Sequence, residues 1–125
     1  MTRPVRPVFL NPLRLQMPVG ALTSIGHRVS GIVLAVSVPF WVYLLGLSLR
    51  DAQSFERVDR QMSHWAVKTA VVLVTWALAH HVLAGVRHLL SDANVGSPLR
   101  AARRTAYAAN LGGVAVALVA AALLW

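Results

Sequence analysis

The chain has 125 residues, 57% of them apolar and only 13% charged, with a formal net charge of +8 and no cysteine. A soluble domain carries nearer a quarter charged residues, so the composition points to a membrane as the solvent. The absence of cysteine excludes disulfides, thiolate zinc sites, cysteine-held iron–sulfur clusters and thioether-attached haem within this chain.

The charge pattern sharpens that reading. No Asp, Glu, Lys or Arg occurs in the 21 residues between Arg28 and Arg50, the 18 between Lys68 and Arg87, or the 21 after Arg104. A helix needs about 20 apolar residues to cross a ~30 Å hydrocarbon layer. Three such runs predict an all-α integral membrane protein with three transmembrane helices, over about 23–48, 63–91 and 105–125. One domain is expected over 1–125, opening with an arm at 1–22. The arginines gather at span ends, so the positive charge suits lipid headgroups and sets topology, with no nucleic acid as partner.

In chain order, Pro4, Pro7 and Pro12 break any regular helix in the arm. The arm lacks the pattern of a cleaved signal peptide, since no small-residue cleavage site follows the first apolar run. The first helix is expected to begin at Thr23 or Ser24, either hydroxyl serving as its cap. Pro39 removes one backbone hydrogen bond mid-span, which predicts a kink near residues 35–39. Trp41 and Tyr43 lie toward the far end, at interface level. Residues 50–63 mix three acids with arginines; a short surface helix fits the spacing, but a solvated connector is the preferred reading. The second span is longer than a bilayer requires. The third, rich in Ala, Gly and Val, reads as a packing helix.

Orientation follows from Lys and Arg positions. Arg3, Arg6, Arg14 and Arg28 flank the N-terminal end, and Arg87, Arg100, Arg103 and Arg104 the second loop. Arg50, Arg57, Arg60 and Lys68 flank the first loop. Eight against four puts the N-terminus and second loop in the cytoplasm. Ser24, His27 and Arg28 then meet Arg87 and His88 at one membrane face, with His81 about 10 Å deeper at 1.5 Å per residue.

His80, His81 and His88 are the costly residues, because ionisable groups at membrane depth usually have a task. His81, Gly85 and His88 share one helix face; His80 and Arg87 share a neighbouring one. A neutral imidazole is a natural axial ligand for haem iron. Gly85, one turn from His81, leaves room for a flat macrocycle and favours His81 over His80 as ligand. His88 could donate to a propionate, and Arg28 to a propionate or a quinone carbonyl. Simpler roles stand beside these: Ser24 as a cap, Arg28 as a topology anchor, His27 facing headgroups, His64 as an interfacial residue. A second axial ligand would have to come from another chain.

Two motifs carry a family resemblance. Ser24-Ile-Gly-His27-Arg28-Val-Ser-Gly31 and His81-x-x-x-Gly85-x-Arg87-His88-x-x-x-Asp92 resemble, in order and span position, the signatures of the cytochrome b subunit of succinate dehydrogenase. Arg6-Pro7 is similar to that family's N-terminal arm. The resemblance implies half of a helix bundle, completed by a second small haem-binding anchor subunit and docked to an iron–sulfur subunit and a flavoprotein subunit. It implies one haem b shared between the anchors, with His81 as axial ligand and His27, Arg28, Gly85 and His88 around it. It implies ubiquinone at Ser24 and Arg28, and a bacterial inner membrane location with the N-terminus cytoplasmic. Succinate itself would be oxidised elsewhere in the complex. The neighbouring possibilities are the equivalent anchor of a fumarate reductase and a haem-free structural anchor.

Overall fold

A computed structural model describes residues 17–96 and 98–125. These form four helices and, among the described residues, no strand: α1 (Val19–Ser48), α2 (Ala52–Met62), α3 (Trp65–Asp92) and α4 (Leu99–Leu124). The arm expected at 1–22 lies mostly outside the described residues. Three of the helices, of 30, 28 and 26 residues, are long and apolar enough to span a membrane. At 1.5 Å per residue each exceeds the ~30 Å hydrocarbon layer. The chain is an all-helical, multi-pass membrane protein.

The helix starts differ from expectation in instructive ways. α1 begins at Val19, after Pro18, so Ser24 sits inside the helix and caps nothing. Proline is tolerated at a helix start because no partner awaits its missing N–H. Thr23 is fully buried, and its hydroxyl lies 2.9 Å from the Val19 carbonyl and 3.5 Å from that of Ala106 on α4. α1 then runs helical through Pro39 to Ser48. α4 starts at Leu99, six residues before the expected Thr105. Loss of charge marks where hydrocarbon begins, whereas a helix continues into the headgroups with Arg100, Arg103 and Arg104 on it.

The solvated connector expected over 50–63 is instead a helix. The Asp51 carboxylate accepts from the Ser54 amide (2.7 Å) and the Ser54 hydroxyl (3.1 Å), capping α2. Ser54 and Val58 bury the inner face of that helix. α3 is capped by His64, whose Nδ1 accepts from the Ala66 amide (3.3 Å). It ends in a Schellman turn: the Val95 amide donates to Leu90 and the Asn94 amide to Ser91, with Asn94 left-handed at φ 60°.

α3 is the central element, packed against both α1 and α4, while α2 leans mainly on α1. The interior is built of small side chains: Ala77, Ala84 and Ala106 are fully buried and Ala109 nearly so. Small residues let helices approach closely where lipid removes the hydrophobic drive to associate. Large apolar residues such as Ile32, Val36, Leu111 and Leu123 face outward, toward lipid or other subunits.

Candidate functional site

Four histidines meet between α1 and α3, and they divide into two groups. His80 turns into the three-helix interior and is 3% exposed. Its Nε2 lies 3.0 Å from Asn110 Oδ1 on α4, and its ring stacks on Trp76 at 5.6 Å. Two glycines make room for it. A Cβ on Gly26 would come within 2.7 Å of His80 Cε1, and one on Gly113 within 3.0 Å of His80 Cβ. His80 is therefore enclosed by α1 and α4. With Asn110 accepting at Nε2, its Nδ1 is a buried acceptor without a partner among the described residues.

His81, one residue on and so about 100° around the helix, leaves the interior and lies against α1. Its Nδ1 is 3.1 Å from the His27 carbonyl oxygen and 3.2 Å from Ser30 Oγ. A carbonyl only accepts, so Nδ1 carries the proton. Ser30, fully buried, donates its own proton to the same carbonyl (2.9 Å). Nε2 of His81 has no hydrogen-bond partner among the described residues, so its lone pair is free. A ring held by Nδ1–H on a backbone carbonyl is the usual support of a metal-ligating histidine. Gly31 allows the close approach: a Cβ there would stand 3.1 Å from His81 Cε1.

His27 does not simply face headgroups. Its ring stacks on His81 with centroids 4.1 Å apart and planes at 14°, and lies 5.3 Å from the His88 ring. Gly85 faces this ring, since a Cβ there would sit 3.4 Å from His27 Nε2. The room Gly85 provides is thus used by His27 within this chain. The structure brings His27, His81, Gly85 and His88 together. Among the described residues no three His, Cys, Asp or Glu side chains are grouped to hold a bare metal ion.

Ser24 and Arg28 stand one helical turn apart on α1, at the same end of the bundle. Neither makes a side-chain hydrogen bond or ion pair among the described residues; Arg28 is exposed and Ser24 half-buried. Arg87, placed by the sequence at the same membrane face and in the second motif but given no role at the site, has a further feature. Its Nε is buried without a partner among the described residues, and its Nη2 would lie 3.5 Å from a Cβ on Gly20 at the start of α1. Arg87 also lines a cavity of about 270 Å³ between α3 and α4, with Leu83, Val86 and Thr105. Its place in the motif, one residue before His88, was the available signal. This end of the bundle offers cations without acidic partners: the ion pair found among the described residues, Arg60–Glu56, is elsewhere.

The chain resembles known proteins over nearly its full length. Residues 2–121 match the model of the succinate dehydrogenase/fumarate reductase transmembrane subunit family. The succinate dehydrogenase cytochrome b556 subunit of Coxiella burnetii is 33% identical over 122 residues, 96% of this chain and 97% of that protein. The subunit of the same name from Paracoccus denitrificans is 29% identical over 104 residues, 83% of this chain and 80% of that protein. With both motifs on adjoining helices and a family match spanning almost every residue, the chain belongs to the succinate dehydrogenase/fumarate reductase transmembrane subunit family.

Proposed function

We propose that this chain is the haem b- and ubiquinone-binding membrane anchor of a succinate dehydrogenase, set in a bacterial inner membrane with its N-terminus cytoplasmic. The observation that carries the haem assignment is the tether of His81: Nδ1–H on the His27 carbonyl and Ser30 Oγ leaves Nε2 as a fixed, basic lone pair. His80 has no such freedom, because Asn110, Gly26 and Gly113 enclose it. A b-type haem, when bound, supplies a one-electron redox centre. His81 would hold the iron, with the His27 ring stacked against it to keep it in place. Arg28 and His88 would offer donors to the propionates, and Gly85 leaves room for the His27 ring to lie close. A second histidine ligand would come from the second small anchor subunit, and the iron–sulfur and flavoprotein subunits would dock on the same anchor.

At the cytoplasmic end, Ser24 and Arg28 bind ubiquinone. Reduction of a quinone to a quinol takes up two electrons and two protons. A guanidinium and a hydroxyl stabilise the negative charge that develops on the carbonyl oxygen, and the membrane face gives protons access from water. Succinate is not oxidised on this chain.

The test is a reduced-minus-oxidised spectrum of the purified complex. A b-type α-band is expected, lost in His81→Ala and kept in His80→Ala. Absence of the band in the wild type would mean a haem-free structural anchor, and the opposite pattern in the two variants would move the ligand to His80. The family also contains fumarate reductase anchors; a higher turnover with succinate than with fumarate, using matched quinone and quinol, distinguishes the two directions.

A further inference from the structure

A cavity lies at the opposite end of the bundle from His27, His81 and His88. It has about 770 Å³ and is bounded by α1, α2 and α3. Leu44, Leu47 and Val67 give it an apolar floor, and Arg57, Arg60 and His64 a polar rim; among the described residues no acidic side chain lines it. The level is that of a membrane interface. α1 ends at Ser48, α3 begins at Trp65, and α4 ends beside Trp125. Both tryptophans are 68% exposed, as ring systems at the headgroup level are.

The polar groups retain donor capacity. Arg57 donates to Ser54 Oγ (3.2 Å), itself bonded to the Asp51 cap, so one edge of its guanidinium is used and the head is oriented. Arg60 meets Glu56 only at 3.9 Å, with both side chains about 70% exposed. An exposed pair of that geometry holds little. His64 spends Nδ1 as an acceptor from the Ala66 amide, which puts the proton of the neutral ring on Nε2. Two guanidiniums and an imidazole N–H thus rim an apolar cleft that opens at headgroup depth.

We propose that this cavity is a binding site for one anionic glycerophospholipid. Its phosphate lies among Arg57, Arg60 and His64, and an acyl chain runs over Leu44, Leu47 and Val67. Charge complementarity selects an anion, and the apolar floor selects one that carries a chain. The site is independent of the haem and quinone assignments, which concern the other membrane face.

The experiment is native mass spectrometry of the intact, delipidated complex titrated with phosphatidylglycerol. Stoichiometric binding is expected in the wild type and in Arg50→Gln, an exposed arginine on the same side but outside the cavity. Arg57→Gln/Arg60→Gln should bind about 30-fold more weakly, on the basis of ~1 kcal/mol per arginine at an anionic lipid surface. Unchanged affinity in the double variant overturns the site. Equal wild-type binding of phosphatidylcholine overturns the anionic selectivity. Competition by inorganic phosphate at concentrations matching the lipid would mean a free-phosphate site. Loss of a partner subunit from the double variant, with no lipid bound in the wild type, would mean that a protein fills the cleft. Should the double variant not assemble, the wild-type comparison of phosphatidylglycerol, phosphatidylcholine and phosphate still decides.

Discussion

The Nδ1 atom of His81 on α3 lies 3.1 Å from the backbone carbonyl of His27 on α1, and the two imidazoles stack 4.1 Å apart. This relationship ties the two family motifs into one unit. The carbonyl fixes the tautomer of His81, and Ser30 shares in the same arrangement. A change in the α1 backbone at residue 27 therefore reorients the α3 ring.

Removing Ser30 should weaken that support while leaving the His81 ring present. Ser30→Ala is expected to keep a b-type spectrum but to lower haem affinity by about tenfold, the lower end of what loss of a supporting group costs a metal ligand. Haem retained per complex during detergent washing measures it. Retention equal to wild type would show that Ser30 only satisfies its own helix.

His80 and Gly26 should behave as a coupled pair. Gly26→Ala puts a methyl 2.7 Å from His80 Cε1 and is expected to destabilise the complex by about 1–3 kcal/mol, the usual cost of overpacking. Adding His80→Ala makes room for that methyl, so the double variant should be more stable than the sum of the single losses predicts. Thermal unfolding of the four proteins in detergent reads the coupling. Simple additivity would mean that α1 and α3 separate to absorb the methyl.

Arg28→Ala should reduce quinone reduction on the order of 10²-fold, as loss of one donor at a developing oxyanion does. Succinate oxidation by an artificial dye acceptor at the flavoprotein should stay unchanged. Equal loss in both assays would instead indicate failed assembly of the anchor.

The α2 cap should give a local response to acid. The Ser54 amide and hydroxyl, followed by the nearby Arg57, hold the Asp51 carboxyl below its usual range. A carboxyl depressed in the folded state contributes stability above its unfolded pKa and loses it as pH falls through the folded value. Hydrogen-exchange protection of α2 amides should therefore fall in acid, below the usual carboxylate range. Asp51→Asn should flatten that dependence; a pH profile unchanged by the substitution would show that the cap's charge is immaterial.

Much of this protein was legible in its residues. Three uncharged runs separated by arginines can only be spans, because lipid excludes unpaired charge and forces the backbone into helices. The spacing of His81, Gly85 and His88 placed them on one face of α3 through the 3.6-residue turn alone. The structure was needed wherever a neighbouring helix decides. His80 and His81 are chemically identical in the sequence, yet Asn110 and Gly113 enclose one while the His27 carbonyl orients the other. Gly85 looked like room for a cofactor, and its nearest side chain is His27. The early starts of α1 and α4 were hidden because hydropathy reports where hydrocarbon begins, and helical hydrogen bonds extend beyond it. α2 needed Ser54 and Val58 to bury against the bundle. Sequence by itself determined the membrane, the spans and the candidate ligands; only packing between helices decided which imidazole is enclosed in the interior and which lies against α1, tethered through Nδ1 with Nε2 unpartnered among the described residues.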